Sequence, residues 1–442
     1  MLLVCGRATG YSLLTHEQLI DLTWQDAIVP LLLSRYPNLT AADLERARAY
    51  AYGGCVIQDI GYYPFGDHSF SNLTHYVRSG DFVVNLFRNA TNANELAFAA
   101  GALSHYIGDS VGHAEATNLA VAIEFPRLRA KYGPQVNYAQ GEHQHVQAEF
   151  AFDIDEAAHH RVAPIRYLRH IGLMVPVRQL GLAFYQTYGL PDFTGRRAHR
   201  FKVSEYRWAV RTFIPRVAYA ITLLHRRHEP AEPDTPDALE VENEAAAVSA
   251  ANNWDAYRHK AGFETYALAC LLLVIPRVGP FSLIAVKGPT PATESDYMHS
   301  VVQSTAALRF ALNRFTPVAA RRAPPAGATV FTPTGAYDPN HPLPNRDLDT
   351  GHVVKPGGYP LTDSTYAALL HRITQSPNQA IPPGIQQDIE AYYADPAAPI
   401  STKRDARKWA QVQADLKTLA AMPTSTAPSP IDVYGDDGAL EY

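Results

Sequence analysis

From residue 15 to residue 228 the apolar side chains recur at helical spacing, and the strict alternation that marks a strand is scarce. A first helix is predicted over His16 to Trp24, with Thr15 as its cap and Gln18 completing a capping box. Thr40 heads another, with Asp43 at its third position and Leu44, Ala47 and Ala51 along one side. Further helices are predicted near Asn94 to Ala116, Gln140 to His160, Ile165 to Tyr188 and Val203 to Arg227. The run from Glu229 to Asp237 is acidic, rich in proline and free of large apolar residues, so it reads as a linker or exposed loop. Helical patterning resumes over Ala245 to Phe315, yields to a proline-rich stretch from Pro317 to Pro344, and returns at Asp363 to Thr374 and Gln386 to Ala421. No internal repeat is visible, and the whole pattern predicts an all-α chain.

The chain's 442 residues exceed what one core usually needs. The expected organisation is a helical domain over residues 11–228, a linker over 229–240, a mainly helical accessory region over 241–422 and a disordered tail over 423–442. Ala8-Thr9-Gly10 has the small-x-small form of a cleavage site, which makes residues 1–10 the remnant of a signal peptide and Tyr11 the mature terminus; an unprocessed terminus is the alternative. The most apolar stretch, Tyr266 to Val286, is interrupted by Pro276, Arg277, Gly279 and Pro280, so two short buried elements explain it better than a membrane span. A net charge of -5 supplies no basic field to gather nucleic acid. Cys5, Cys55 and Cys270 fit neither a zinc ribbon nor a disulfide framework, so any metal must be held by histidine and carboxylate.

The sharpest chemical signal is His105-Tyr-Ile-Gly-Asp109-Ser-Val-Gly-His113. Each four-residue step on a helix advances roughly 400°, so successive ligands land only about 40° apart and share one face. Two imidazoles and a carboxylate suit zinc, and the carboxylate can bridge two ions. Just upstream, Ala99, Ala100, Gly101 and Ala102 are small enough to let a neighbouring helix approach. A second helix offers His145 and Glu149 in the same four-residue register, whereas His143 falls on the opposite side. Asp59, following an apolar stretch, is predicted at the end of its helix and aimed into whatever that helix packs on. His75 and His16 complete the candidates, although each taken alone has an ordinary structural explanation.

In chain order these residues resemble the zinc-dependent phospholipase C/D family, which includes bacterial zinc phospholipase C and the N-terminal domain of glycosylphosphatidylinositol-specific phospholipase D, with single-strand-specific zinc nucleases as relatives. The resemblance covers residues 11 to 160 and extends toward 228. It implies a multi-helix bundle around a cluster of up to three Zn2+ ions. Asp59, His75, His105 and Asp109 would hold one. Asp109 would bridge to a second, completed by His16 and the main-chain amine and carbonyl of Tyr11. His113, His145 and Glu149 would hold a third. Asp59 would also serve as a catalytic general base. The spacing around Asp109 is similar to that of the phospholipase D member, whereas the Tyr11 to His16 separation resembles the nucleases; whether cleavage is of C or D type stays open.

The implied activity is hydrolysis of phosphodiester bonds, with phospholipid headgroups as substrate and peripheral contact with a membrane outside the cytoplasm. A single-strand nuclease or nucleotidase on the same site, or a non-catalytic helical protein that retains it, are the alternatives. The aromatic segment Gly61 to Gly66 with Phe70 and Tyr76 is a candidate headgroup lining. The basic stretch Arg196, Arg197, Arg200, Lys202, Arg207 and Arg211 is a candidate surface for anionic partners. In the accessory region, Asp347-Leu-Asp349-Thr-Gly-His352 is polar and loop-like and carries no ligand spacing, and neither do His299, His341 and His371.

Overall fold

The computed structural model describes residues 12–62, 66–191, 234–258, 288–317 and 342–425. Tyr11, the leader reading of residues 1–10, the stretches Val203 to Arg227 and Tyr266 to Val286, the basic run from Arg196 to Arg211, and Tyr63 to Phe65 lie outside them.

The described chain is all-α. Its helices are α1 (Leu13–Thr23), α2 (Val29–Arg35), α3 (Ala41–Cys55), α4 (His68–Tyr76), α5 (Ser79–Asn89), α6 (Ala93–Gly112), α7 (Asn118–Glu124), α8 (Pro126–Tyr132), α9 (Tyr138–Ala158), α10 (Ile165–Ile171) and α11 (Val177–Tyr188). They continue with α12 (Pro236–Ala251), α13 (Pro291–Phe315), α14 (Pro360–Thr374), α15 (Pro383–Tyr392) and α16 (Ala406–Ala420). Among the described residues, β-pairing is limited to two isolated bridges, Arg346 with Val353 and Ile381 with Thr424.

Local chemistry explains most boundaries. Thr40 and Asp43 form the predicted capping box of α3. Asn92 caps α6 through the Glu95 amide. Two single helices expected from periodicity are divided in the structure. Gly172 at φ 89° and Pro176 separate α10 from α11, and Pro396 and Pro399 lie between α15 and α16. The start of α1 also differs from expectation. Thr15 lies inside the helix, and the first-turn donors are satisfied from a distant helix: Asp153 of α9 accepts from the Leu14 amide at 2.8 Å and the Thr15 amide at 3.0 Å. A capping box needs only neighbours in sequence; here a buried carboxylate across the core takes its place.

The central pair is α3 against α6, and glycine permits their closeness. A Cβ on Gly54 would stand 2.1 Å from the Phe98 carbonyl, and one on Gly101 2.2 Å from the Ala51 carbonyl. The small-residue stripe of α6 therefore meets backbone directly. One apolar cluster joins distant parts of the chain: Leu103 and Ala102 of α6, Phe70 of α4, Leu308 of α13, Leu348, and Leu370 of α14 all belong to it. Phe152 of α9 stacks on Tyr297 of α13 with centroids 4.5 Å apart. The core thus encloses the C-terminal half of α6, which carries His105 and Asp109.

Gly54→Ala tests this packing. The methyl group has no room against the Phe98 carbonyl, so stability is expected to fall by about 1–3 kcal/mol. Chemical denaturation measures it, and an unchanged midpoint would show that α3 and α6 do not approach so closely.

Candidate metal centre

Several separate pieces of helical structure deliver the candidate ligands. His105 and Asp109 lie on α6, and His113 opens the π-helical turn His113–Thr117 that continues it. His16 comes from α1, His75 from the last turn of α4, and His145 and Glu149 from α9. Asp59 is not at the end of α3, as expected. That helix stops at Cys55, and Asp59 lies in the following 3-10 turn, Ile57–Gly61. Three glycine-permitted or carbonyl contacts fix the arrangement. The close approach of α3 to α6 brings the Cys55 carbonyl to His105 Nδ1 at 2.9 Å. Ser71 offers its carbonyl to His75 Nδ1 at 2.8 Å, and Leu348 to His113 Nδ1 at 2.7 Å. A carbonyl only accepts, so each Nδ1 carries the hydrogen and each neutral ring turns its Nε2 lone pair inward.

The inward atoms form two neighbouring groups. Asp109 Oδ1 lies 3.2 Å from His16 Nε2, while Oδ2 lies 3.1 Å from His105 Nε2 and 3.3 Å from His75 Nε2. Asp59 Oδ1 joins the second set, 3.3 Å from His75 Nε2 and 3.9 Å from His105 Nε2, and the two imidazole nitrogens are 3.4 Å apart. Further along, Glu149 Oε1 is 3.1 Å from His145 Nε2 and 3.5 Å from His113 Nε2. All eight described side chains are buried, with Asp59 the most open at 4 %. The three sets His16–His105–Asp109, Asp59–His75–His105 and His113–His145–Glu149 each have the composition and proximity to hold a metal ion.

These spacings test the fit. Ligand atoms about 2.0–2.1 Å from a zinc ion in tetrahedral array stand about 3.3 Å from one another, and the observed separations cluster around that value. Facing nitrogen lone pairs such as those of His75 and His105 repel unless a proton or cation lies between them. His113 and His145 Nε2 are buried without an aligned hydrogen bond. The donor set therefore suits zinc better than it suits a hydrogen-bonded polar core.

In the metal-free chain the protons distribute unevenly. Burial works against a charged His75, yet its hydrogen bonds to Asp109 and Asp59 outweigh it and hold the imidazolium up to about 10. His113 is likewise raised to about 9, burial being outweighed by Glu149. Burial and the neighbouring His113 push His145 well down, and burial with His105 lowers His16. Asp109 stays well below the usual carboxylate range because the surrounding imidazoles, His105 first, overcome its desolvation.

A fourth group, Asp155, His159 and Glu294, has metal-capable composition but is already occupied by an internal cation. The Arg161 guanidinium lies 2.8 Å from Asp155 Oδ2 and 3.4 Å from Glu294 Oε1. His299 pairs with the partly exposed Asp237, and His371 with the buried carboxylate of Asp415. His143 is only half-buried while His145 is fully enclosed, as their opposite helical directions required.

With eight side chains converging in this order, the comparison with known proteins becomes specific: residues 15–196 match the family model described as zinc dependent phospholipase C. Over this segment the chain is similar to the zinc-dependent phospholipase C family. No curated protein and no solved structure matches the chain. The phospholipase C segment holds every described candidate ligand, but it ends well before the carbonyl that faces His113. Leu348 belongs to a later loop, beside Asp349, whose carboxylate accepts from the Tyr76 and Tyr359 hydroxyls. In the sequence this loop is only polar and without ligand spacing, because nothing there betrays which helix it packs on; in the structure Gly351 adopts φ 69°.

Zinc uptake by the metal-free chain is expected to release protons, because His75 and His113 hold theirs up to about 10 and about 9 while only the neutral ring ligates. Below those values affinity should fall with pH, by about tenfold per unit for each position. Calorimetric titration in buffers of different ionisation heat measures the released protons, and a pH-independent affinity would contradict the assignment.

Proposed function

We propose that the chain is a zinc-dependent phosphodiester hydrolase of phospholipase C type, acting on phospholipid headgroups. The observation that carries this reading is the division of Asp109, whose two oxygens face different imidazoles: Oδ1 toward His16, Oδ2 toward His75 and His105. A carboxylate so placed suits a bridge between two ions. Asp59, His75, His105 and Asp109 would hold one ion; His16 and Asp109, with the terminus at Tyr11, a second; His113, His145 and Glu149 a third. Bound zinc lowers the pKa of its water toward about 7 and neutralises charge on the phosphoryl oxygens.

The protein's own residues supply the rest. Burial of the ligands keeps bulk water from competing at the centre. The carbonyls of Ser71, Cys55 and Leu348 fix the three rings in one tautomer and one orientation. Asp59, the most open of the eight, would act as general base toward an attacking water, a reading that its slightly greater exposure supports. Among the described residues no helix is long and apolar enough to cross a membrane, so contact with a lipid substrate would be peripheral. We place the protein outside the cytoplasm, with residues 11–228 as the catalytic domain.

A chelator-reversible assay against phosphatidylcholine, bis-p-nitrophenyl phosphate and single-stranded DNA tests the substrate class. Hydrolysis of phosphatidylcholine supports the reading, preference for DNA favours a nuclease on the same site, and full zinc without turnover on any substrate defeats an enzymatic role. Asp109→Asn is expected to lower kcat by at least about 100-fold and to lose more than one equivalent of zinc by elemental analysis. A variant with full metal and normal turnover would contradict the bridging assignment.

A further inference from the structure

The turn from Asp347 to Gly351 lies outside the family segment, yet it packs on two of the candidate metal helices at once. The Leu348 amide donates to the His75 carbonyl at 3.1 Å, while its carbonyl accepts from His113 Nδ1 at 2.7 Å. Asn118, one turn beyond His113, donates to the Asp349 carbonyl at 2.9 Å. The turn is closed internally by Asp347, which accepts from the Thr350 amide at 2.9 Å and its hydroxyl at 2.6 Å. Its flank is tied down by Ser79 and by the Tyr106 hydroxyl, which donates to the Pro344 carbonyl at 2.7 Å. Gly351 sits at φ 69° with its Cα against α6, so a Cβ there would lie 2.2 Å from the Ser110 carbonyl.

The side chain of Asp349 is fully buried. Its Oδ2 accepts from the Tyr76 hydroxyl at 3.0 Å and from Tyr359, both neutral donors. Its Oδ1 accepts no hydrogen bond and stands 4.0 Å from His113 Nδ1. A buried carboxylate whose side-chain hydrogen bonds come only from neutral phenols is costly to keep ionised. A cation behind His113 would offset that cost, and the carboxylate would in turn strengthen the imidazole as a ligand.

We propose that this turn is the outer shell of the third metal position: Leu348 fixes the ring of His113, and Asp349 is a positioning residue that strengthens zinc binding at His113, His145 and Glu149. The inference rests on the zinc reading above. It makes metal affinity at that position depend on a loop about two hundred residues downstream of Glu149, the last of its ligands in the chain. By linkage, zinc bound there holds the loop in place.

Asp349→Asn keeps the shape and an acceptor for the tyrosine hydroxyls while removing the charge. Competition titration of the full chain with a chromophoric chelator is expected to show one zinc equivalent weakened roughly 10- to 100-fold, the others unchanged. The unfolding midpoints with and without zinc should lie closer together in the variant than in the wild type. A merely structural role would lower both midpoints and leave the affinities alone. Gly351→Ala, which forces the turn off α6, should weaken the same equivalent, and with cobalt in place of zinc both variants should perturb the visible spectrum of that equivalent. Wild-type affinity for every equivalent in Asp349→Asn would overturn the loop's role alone. A wild-type chain that binds no stoichiometric zinc would overturn the metal centre itself, and the loop's role with it.

Discussion

Asp109 and the imidazoles around it are held out of water at 3.1–3.3 Å, and the rest of the structure serves that arrangement. Four polar groups packed so tightly in a dry interior would ordinarily be a liability, since neither the carboxylate nor the inward lone pairs gain enough from one another to offset desolvation. Shared protons resolve the conflict in the metal-free chain, raising His75 and His113 while keeping Asp109 ionised. Divalent cations would resolve it better, because each would satisfy several lone pairs at once and leave no ring doubly protonated. Stability and metal binding are therefore two readings of one electrostatic problem.

The scaffold around this cluster is unusually dependent on close backbone contact. Gly54 and Gly101 let α3 and α6 meet carbonyl to Cα, and the same closeness puts the Cys55 carbonyl on His105. Asp153 anchors the first turn of α1 from α9, and so sets the depth of His16. Gly351 allows a third such contact, carbonyl against turn, on the far side of α6. At the glycine contacts a candidate ligand's position follows from how near two backbones can come, a quantity that side-chain chemistry alone does not set.

Chain continuity and structural continuity also part company. The family segment ends at residue 196, but α13 packs against it through Tyr297 and Phe152, and the loop around Leu348 reaches into the metal helices. The accessory region is therefore not a passive appendage: it contributes core and the orientation of a candidate ligand.

The helical class, the four-residue register of His105, Asp109 and His113, and the pair His145 and Glu149 were all legible in the order of residues, because helical geometry turns sequence spacing directly into shared direction. Asp59 and His75 were legible only through family resemblance, since neither has a local partner at ligand spacing. The 3-10 turn carrying Asp59, the capping of α1 by Asp153 rather than Thr15, and the placement of Leu348 and Asp349 beside His113 came from tertiary structure alone. Periodicity reports which face of a helix a residue occupies. Which distant carbonyl or carboxylate meets that face is decided by packing, and packing depends on the whole chain at once.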